Sequence, residues 1–235
     1  SNLVDYLNRS LKSGRISQGR VLFNGQFKDF PFNNNEGIFV VDAELVDAEF
    51  EFEKAWPSIS QMAANLSFVN NSMAITARSG YLGQLSVGGT TAVIDDLKQE
   101  QLLVINAAFN KESPRRIHQL LNQSPLQNSV GATLDQLTII GDVTGKLQID
   151  VPLKHANDTV AYGEIAFVDN QLELATPDMS FTKINGQMNY IIKTRLLNRF
   201  DIQFDFRTTP FVTVSNIINT IIRFKLSLDA CCSCF

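Results

Sequence analysis

The stretch between Phe30-Pro31-Phe32 and Trp56-Pro57 constrains the fold most strongly, because its apolar residues alternate and then change phase. Phe39, Val41, Ala43 and Leu45 are apolar at odd positions; from Ala48 the apolar positions are even, at Ala48, Phe50 and Phe52. Alternation with a period of two is the mark of a half-buried strand. A two-residue turn at Asp47-Ala48 accounts for the change of phase. It predicts a β-hairpin with Leu45 opposite Phe50 and Ala43 opposite Phe52 on one apolar face. Asp42, Glu44, Glu51 and Glu53 then line a solvated face, since acids opposite one another repel.

The pattern returns about 122 residues later: Val168-Asp169-Asn170-Gln171-Leu172-Glu173-Leu174 echoes Val46-Asp47-Ala48-Glu49-Phe50-Glu51-Phe52. A turn at Asp169-Asn170 predicts a second hairpin, pairing Phe167 with Leu172 and Ile165 with Leu174; Asx residues suit such turns because they tolerate positive φ. The same offset relates Ile59 to Phe181, Met62 to Ile184, Leu66 to Met188 and Phe68 to Tyr190. Phe30-Pro31-Phe32 and Val151-Pro152-Leu153 match one residue out of step. These correspondences read as a diverged internal repeat.

Elsewhere the chain reads as short strands with one helical interruption. Asn2 can cap a short helix through Leu7 and Leu11 that Gly14 ends. A strand follows over residues 16–27, with a bulge or turn at Gly25. Leu66 and Phe68, then Met73, Ile75 and Ala77, alternate on either side of a turn at Asn70-Asn71. Residues 90–94 and 102–109 are strand-like, and the second is apolar on both faces. Ser113-Pro114 opens a helix carrying Ile117, Leu120 and Leu121, and Ser124-Pro125 repeats the start signal. Strands resume through Leu147, Ile149 and Val151, and end with Met188, Tyr190 and Ile192.

The division predicted is a first repeat over 1–135, a partial second repeat over 136–193, and an atypical tail over 194–235. The tail has no glycine, is locally basic and holds all three cysteines, Cys231, Cys232 and Cys234. It reads as a foreign or frame-shifted end, or as a divergent natural terminus.

Chemistry is sparse. His118 falls beside the helix stripe, facing solvent, and His155 falls in a turn; neither has a ligand partner at metal-binding spacing. Asp95-Asp96 would point to opposite sides of a strand and cannot converge on one substrate. No nucleophile elbow and no phosphate loop occurs. The sequence therefore predicts no enzyme, no metal and no cofactor. A net charge of −4 without a basic stripe argues against nucleic acid, and no apolar run reaches the roughly 18 residues of a membrane span. The apolar face remains, with long hydrocarbon chains as one candidate to cover it.

Gly19-x-Val21-x-Phe23-x-Gly25, Phe30-Pro31-Phe32, Gly37-x-Phe39, Trp56-Pro57, Ser124-Pro125-Leu126 and Val151-Pro152-Leu153 together resemble the large YhdP-type proteins of the AsmA-like superfamily, over about residues 1–193. The resemblance implies a mainly β fold: an elongated, strongly curved antiparallel sheet forming a hydrophobic groove, with short helices near the N-terminus and mid-chain. It implies a periplasmic protein of Gram-negative bacteria, tethered to the inner membrane by a helix absent from this sequence. It implies phospholipid carried between inner and outer membranes; the alternative is a non-catalytic scaffold for envelope or outer-membrane protein assembly. On this reading the groove candidates, chosen by alternation, are Phe39, Val41, Leu45, Phe50, Phe52, Leu66, Phe68, Ile165, Phe167, Leu172 and Leu174.

Overall fold

The computed structural model describes residues 8–34, 36–98, 102–175, 178–195 and 199–208. The chain is mainly β. Its strands are β1 (Leu11–Asn24), β2 (Ile38–Phe50), β3 (Ile59–Val69), β4 (Ser72–Leu82), β5 (Leu85–Ser86), β6 (Thr91–Ile94), β7 (Leu102–Glu112), β8 (Leu137–Ile140), β9 (Val143–Pro152), β10 (Val160–Leu174), β11 (Met179–Arg195) and β12 (Arg199–Thr208). One helix, α1 (Pro114–Asn122), is followed by a π-helical turn at Gln127–Gly131 and a helical turn at Ala132–Leu134. The strands form one sheet in the order β1-β2-β3-β4-β6-β7-β9-β10-β11-β12, with β5 beside β4 and β8 beside β10. β1 and β12 are its ends, so the sheet does not close into a barrel.

Two compact units divide the chain: Ser1–Ala108 with Leu147–Val160, and Phe109–Lys146 with Ala161–Phe235.

In the first unit, the change of apolar phase is not a turn. β2 runs unbroken through Asp47, which takes φ 53°. Leu45 lies opposite Ala64 and Ala48 opposite Met62, so β2 spends one residue more than β3 between these pairs. Asp47 is therefore a β-bulge. An extra residue with positive φ shifts the side-chain parity just as a tight turn does, and aspartate tolerates that conformation in both settings. Leu45 and Phe50 accordingly lie along one strand, with Phe50 opposite Ile59.

The bulge is not alone. Gln61 on β3 has φ 51°, and Gly14 on β1 and Gly80 on β4 have φ 141° and 139°. A Cβ built on Gly14 would lie 3.0 Å from Ala48 Cβ, and one on Gly80 3.2 Å from Met62 Cα. The irregularities of four adjacent strands thus stand side by side. Each bulge bends its strand and steepens the local twist, so the bends of β1 to β4 fall in one line. Gly14 serves here inside a strand that begins at Leu11, not as the end of a helix; residues 8–10 are helical. β1 stops at Asn24, and Phe27–Asp29 forms a 3-10 turn. The turn at Asn70-Asn71 joins β3 to β4 as the spacing predicts, with Asn70 at φ 51° and its side-chain oxygen accepting the Phe39 N–H at 2.8 Å.

In the second unit, Asp169 has φ 52° within the unbroken β10, and Lys183 has φ 57° within β11. Their offset from Asp47 and Gln61 is the one the sequence repeat predicts. The second hairpin is a bulged strand as well, and Phe167, Leu172, Ile165 and Leu174 follow one another along β10. α1 opens with Pro114 at its first turn, but Ser113 makes no side-chain cap. Glu112 instead accepts the Ser113 N–H at 2.9 Å. Ser124 takes the start role expected of it, accepting the Leu126 N–H at 3.1 Å and donating to Leu121 O at 2.8 Å. His118 is not fully solvent-facing: its Nε2 lies 2.9 Å from an Asp135 carboxylate oxygen brought close by the turn after Asn122. β12 pairs along β11 from Gly186↔Thr208 to Arg195↔Arg199, following β11 as β4 follows β3. The cysteines, and the rest of the tail beyond Thr208, lie outside the described residues.

Candidate functional site

Residues directly opposite in an antiparallel pair project from the same side of the sheet, so the registers define the faces. In the first unit, one row runs Val21, Val41, Phe68, Met73, Ile94 across β1, β2, β3, β4 and β6. The next runs Gly19, Ala43, Leu66, Ile75, Ala92, Ile105 and reaches β7. A third runs Ile16, Leu45, Ala64, Ala77, and beyond the bulges a fourth runs Leu11, Phe50, Ile59, Leu82. These rows contain no charged and no amide side chain. The bulges keep them together: without Asp47, Ala48 and Phe50 would turn to the reverse face.

The reverse face is polar and ion-paired around β1 and β2. Arg20 lies opposite Asp42 and contacts its carboxylate at 2.7 Å; Ser67 donates to the same carboxylate at 2.7 Å. The Ser67 hydroxyl, with Arg20 next, holds the Asp42 carboxyl below its usual range. Arg78 reaches Glu44 at 3.5 Å, Arg15 reaches Asp47 at 3.2 Å and Lys12 reaches Glu51 at 3.3 Å. The predicted acidic stripe is thus opposed by cations from β1 and β4, not by acids across a hairpin.

Burial is graded along the apolar rows. Ala64 and Ile94 are buried at 0% and 1% exposure, while Val21, at the β1 end of the same face, is 70% exposed. The face is therefore apolar throughout, and among the described residues it is most exposed at β1. At the end carrying Phe39, five phenylalanines gather: Phe23 stacks on Phe27 at 4.5 Å and meets Phe32 at 5.4 Å, and Phe30 meets Phe39 edge-on at 5.5 Å. Phe32 is buried at its centre.

The second unit presents a shorter, more closed version. Leu172 and Leu174 lie opposite Ile139 and Leu137 of β8, and Met179, Phe181 and Ile184 pack against them. Asn170, buried, ties this arrangement down: its Nδ2 donates to Ile140 O at 3.3 Å and Asp142 O at 3.1 Å, and its Oδ1 accepts the Val168 N–H at 2.8 Å. The rings of Tyr190 and Phe109 lie over Gly163 and Gly145, where any Cβ would collide with them. Burial pushes the Tyr190 phenol up to about 12. The proton is then held more tightly in the folded chain than in the unfolded one. The resulting stability is complete below the unfolded value near 10 and is lost as pH rises through about 12. Thermal melts between pH 9 and 12 should show a steep loss that Tyr190→Phe removes.

Of the predicted groove residues, Phe39, Val41, Leu45, Phe50, Leu66 and Phe68 share the first unit's apolar face by register. Phe52 follows β2, its ring 5.9 Å from that of Trp56. In the second unit Ile165 and Phe167 alternate along β10, and Leu172 and Leu174 sit in a cluster with Ile139 and Leu137 of the neighbouring β8. The groove candidates left out Val21, Ile75 and Ile94, although Val21 and Ile75 stand in stretches whose alternation the sequence shows. Among the described residues no helix is long and apolar enough to cross a membrane.

Comparison with known proteins follows the same lines. The YhdP protein family matches residues 1–215. The chain belongs to the YhdP family. Its match extends past Thr194, through β12 and beyond. The intermembrane phospholipid transporter YhdP of Escherichia coli (strain K12) is 30% identical over 190 residues, which is 81% of this chain and 15% of that protein. The chain thus spans about a seventh of the relative's length. No solved structure matches it.

Proposed function

We propose that this YhdP-family segment carries phospholipid acyl chains along its apolar face, as one stretch of a periplasmic bridge between the inner and outer membranes. The observation that carries this reading is the sidedness of the first unit: uninterrupted apolar rows on one face and ion pairs on the other. The name of the E. coli relative, an intermembrane phospholipid transporter, supports it.

The mechanism needs no catalytic residue. Each methylene moved from water onto the face gains about 0.8 kcal/mol. Along rows of Val, Leu, Ile, Phe and Ala, one position differs little from the next, so an acyl chain can slide without crossing a desolvated charge. The headgroup stays in water. Leu172 and Leu174 continue the apolar side of the second unit, beside Ile139 and Leu137 of β8. In the full-length protein the bridge is tethered to the inner membrane.

Native mass spectrometry of the chain purified without detergent tests the proposal. Phospholipid should be retained and should exchange for added lipid; a chain recovered entirely free of lipid, and unable to take any up from vesicles, would overturn it.

A further inference from the structure

A polar atom interrupts the apolar side of the second unit. Tyr190 alternates with Met188 and Ile192 along β11, while Gln187 and Asn189 bond to each other on the reverse side at 3.1 Å. The Tyr190 ring lies over Gly163 of β10, on the side that Gly163 shares with Ile165 and Phe167 by alternation. The first unit has Val41 and Phe68 at the corresponding places, facing one another in β2 and β3 at the repeat offset from Gly163 and Tyr190. Both members of the pair differ: the ring gains a hydroxyl, and the residue beneath it loses its side chain.

The two differences fit each other. A Cβ on Gly163 would collide with Cζ and Oη of Tyr190, so only glycine lets the phenol lie down across β10. Phe109 lies over Gly145 in the same unit with no hydroxyl, so covering a strand glycine does not call for one. The Tyr190 hydroxyl has no use inside the fold: it makes no hydrogen bond among the described residues. Nor is it sealed away, as the unpartnered Ser10 Oγ and Asn122 Oδ1 are, so a ligand can reach it. Burial of the ring keeps the phenol protonated up to about 12, which leaves it a donor at any ordinary pH. A donor set in apolar surface costs free energy until an acceptor meets it.

We propose that Tyr190 is a lipid-contacting residue whose phenol donates a hydrogen bond to an ester carbonyl oxygen of the phospholipid. This rests on the face carrying phospholipid at all. The ester carbonyls are the acceptors nearest the acyl chains, so a chain lying on Ile165 and Phe167 brings them to the hydroxyl while the phosphate stays in water. The first unit, with Val41 and Phe68, offers a passing lipid only apolar contact at the corresponding position. Tyr190 therefore selects for the acyl linkage, where the apolar rows answer only to hydrocarbon.

Ester- and ether-linked phospholipids separate the two ideas, because a dialkyl ether lipid keeps the hydrocarbon and the headgroup but lacks the carbonyls. The full chain is offered vesicles holding equal amounts of a diacyl phosphatidylcholine and its dialkyl counterpart, which native mass spectrometry resolves by mass. It should take up the diacyl lipid in excess by about threefold or more, the scale of one hydrogen bond. Tyr190→Phe keeps the ring over Gly163 and should load as much lipid in total, with no preference. Tyr162→Phe, next to Gly163 on the reverse side, should retain the native preference. Equal uptake of both lipids by the native chain, or a preference that survives in Tyr190→Phe, would overturn the proposal and leave phospholipid carriage standing. A native chain that takes up neither lipid would overturn both.

Discussion

Leu66→Asp should strip the protein of phospholipid, at least tenfold against the native chain, whereas Thr76→Asp should leave the lipid content unchanged. Leu66 lies between Ala43 and Ile75 in the middle of the apolar rows, half-buried and packed against the cluster of Leu45, Ala48 and Ala64. A carboxylate there must either shed its water when an acyl chain passes or hold the chain away, and shedding it costs several kcal/mol. A tenfold loss needs only about 1.4 kcal/mol. Thr76 is one strand over, opposite Asn65 on the exposed reverse face. Its substitution adds the same charge to the same sheet on the other side. Bound phosphorus per mole of folded protein is the measurement, with circular dichroism to establish folding. Equal lipid loss in both variants would mean that sidedness does not govern binding.

Phe32→Ala should destabilise the chain by about 3–5 kcal/mol, the range for emptying an aromatic site in a core. Phe32 is 2% exposed, and its ring meets Phe23 and Phe30 at 5.4 and 6.0 Å. Two glycines make room for it: a Cβ on Gly37 would fall 2.7 Å from the ring, and one on Gly25 2.5 Å from it. With the ring gone, neither glycine can fill the space and the surrounding rings lose their common partner. Phe27→Ala is the internal comparison. Phe27 stacks on Phe23 but is 83% exposed, so its loss should cost under about 1 kcal/mol. Urea unfolding followed by the fluorescence of Trp56, the single tryptophan, reads both.

The two-residue period was legible from the sequence almost everywhere it mattered. It placed Phe39, Val41, Leu45, Leu66 and Phe68 together, and the register agrees. It also related two segments about 122 residues apart, and the matching bulges at Asp47 and Asp169, and at Gln61 and Lys183, give that offset a structural meaning. The hairpins were misread for a definite reason. A phase slip reports that one residue has been added to the alternation, and a bulge and a two-residue turn add it equally well. What separates them is whether a neighbouring strand pairs on both sides of the slip, as β3 does at Ala64 and Ile59. That is non-local information. The ion pairs were missed for the same reason: Arg20 and Asp42 are opposite only because β1 lies beside β2.

By itself, then, the sequence determined that this chain forms strands with one apolar side and that two of them slip phase about 122 residues apart, because side-chain alternation is a property of the strand alone. Only the tertiary structure decided which parts of that side stay open. Leu172 and Val21 obey the same alternation, yet Leu172 is buried where β8 lies alongside it, and Val21 is exposed on β1, which has no outer neighbour among the described residues. Exposure is set by what the rest of the chain brings alongside, and no single strand encodes that.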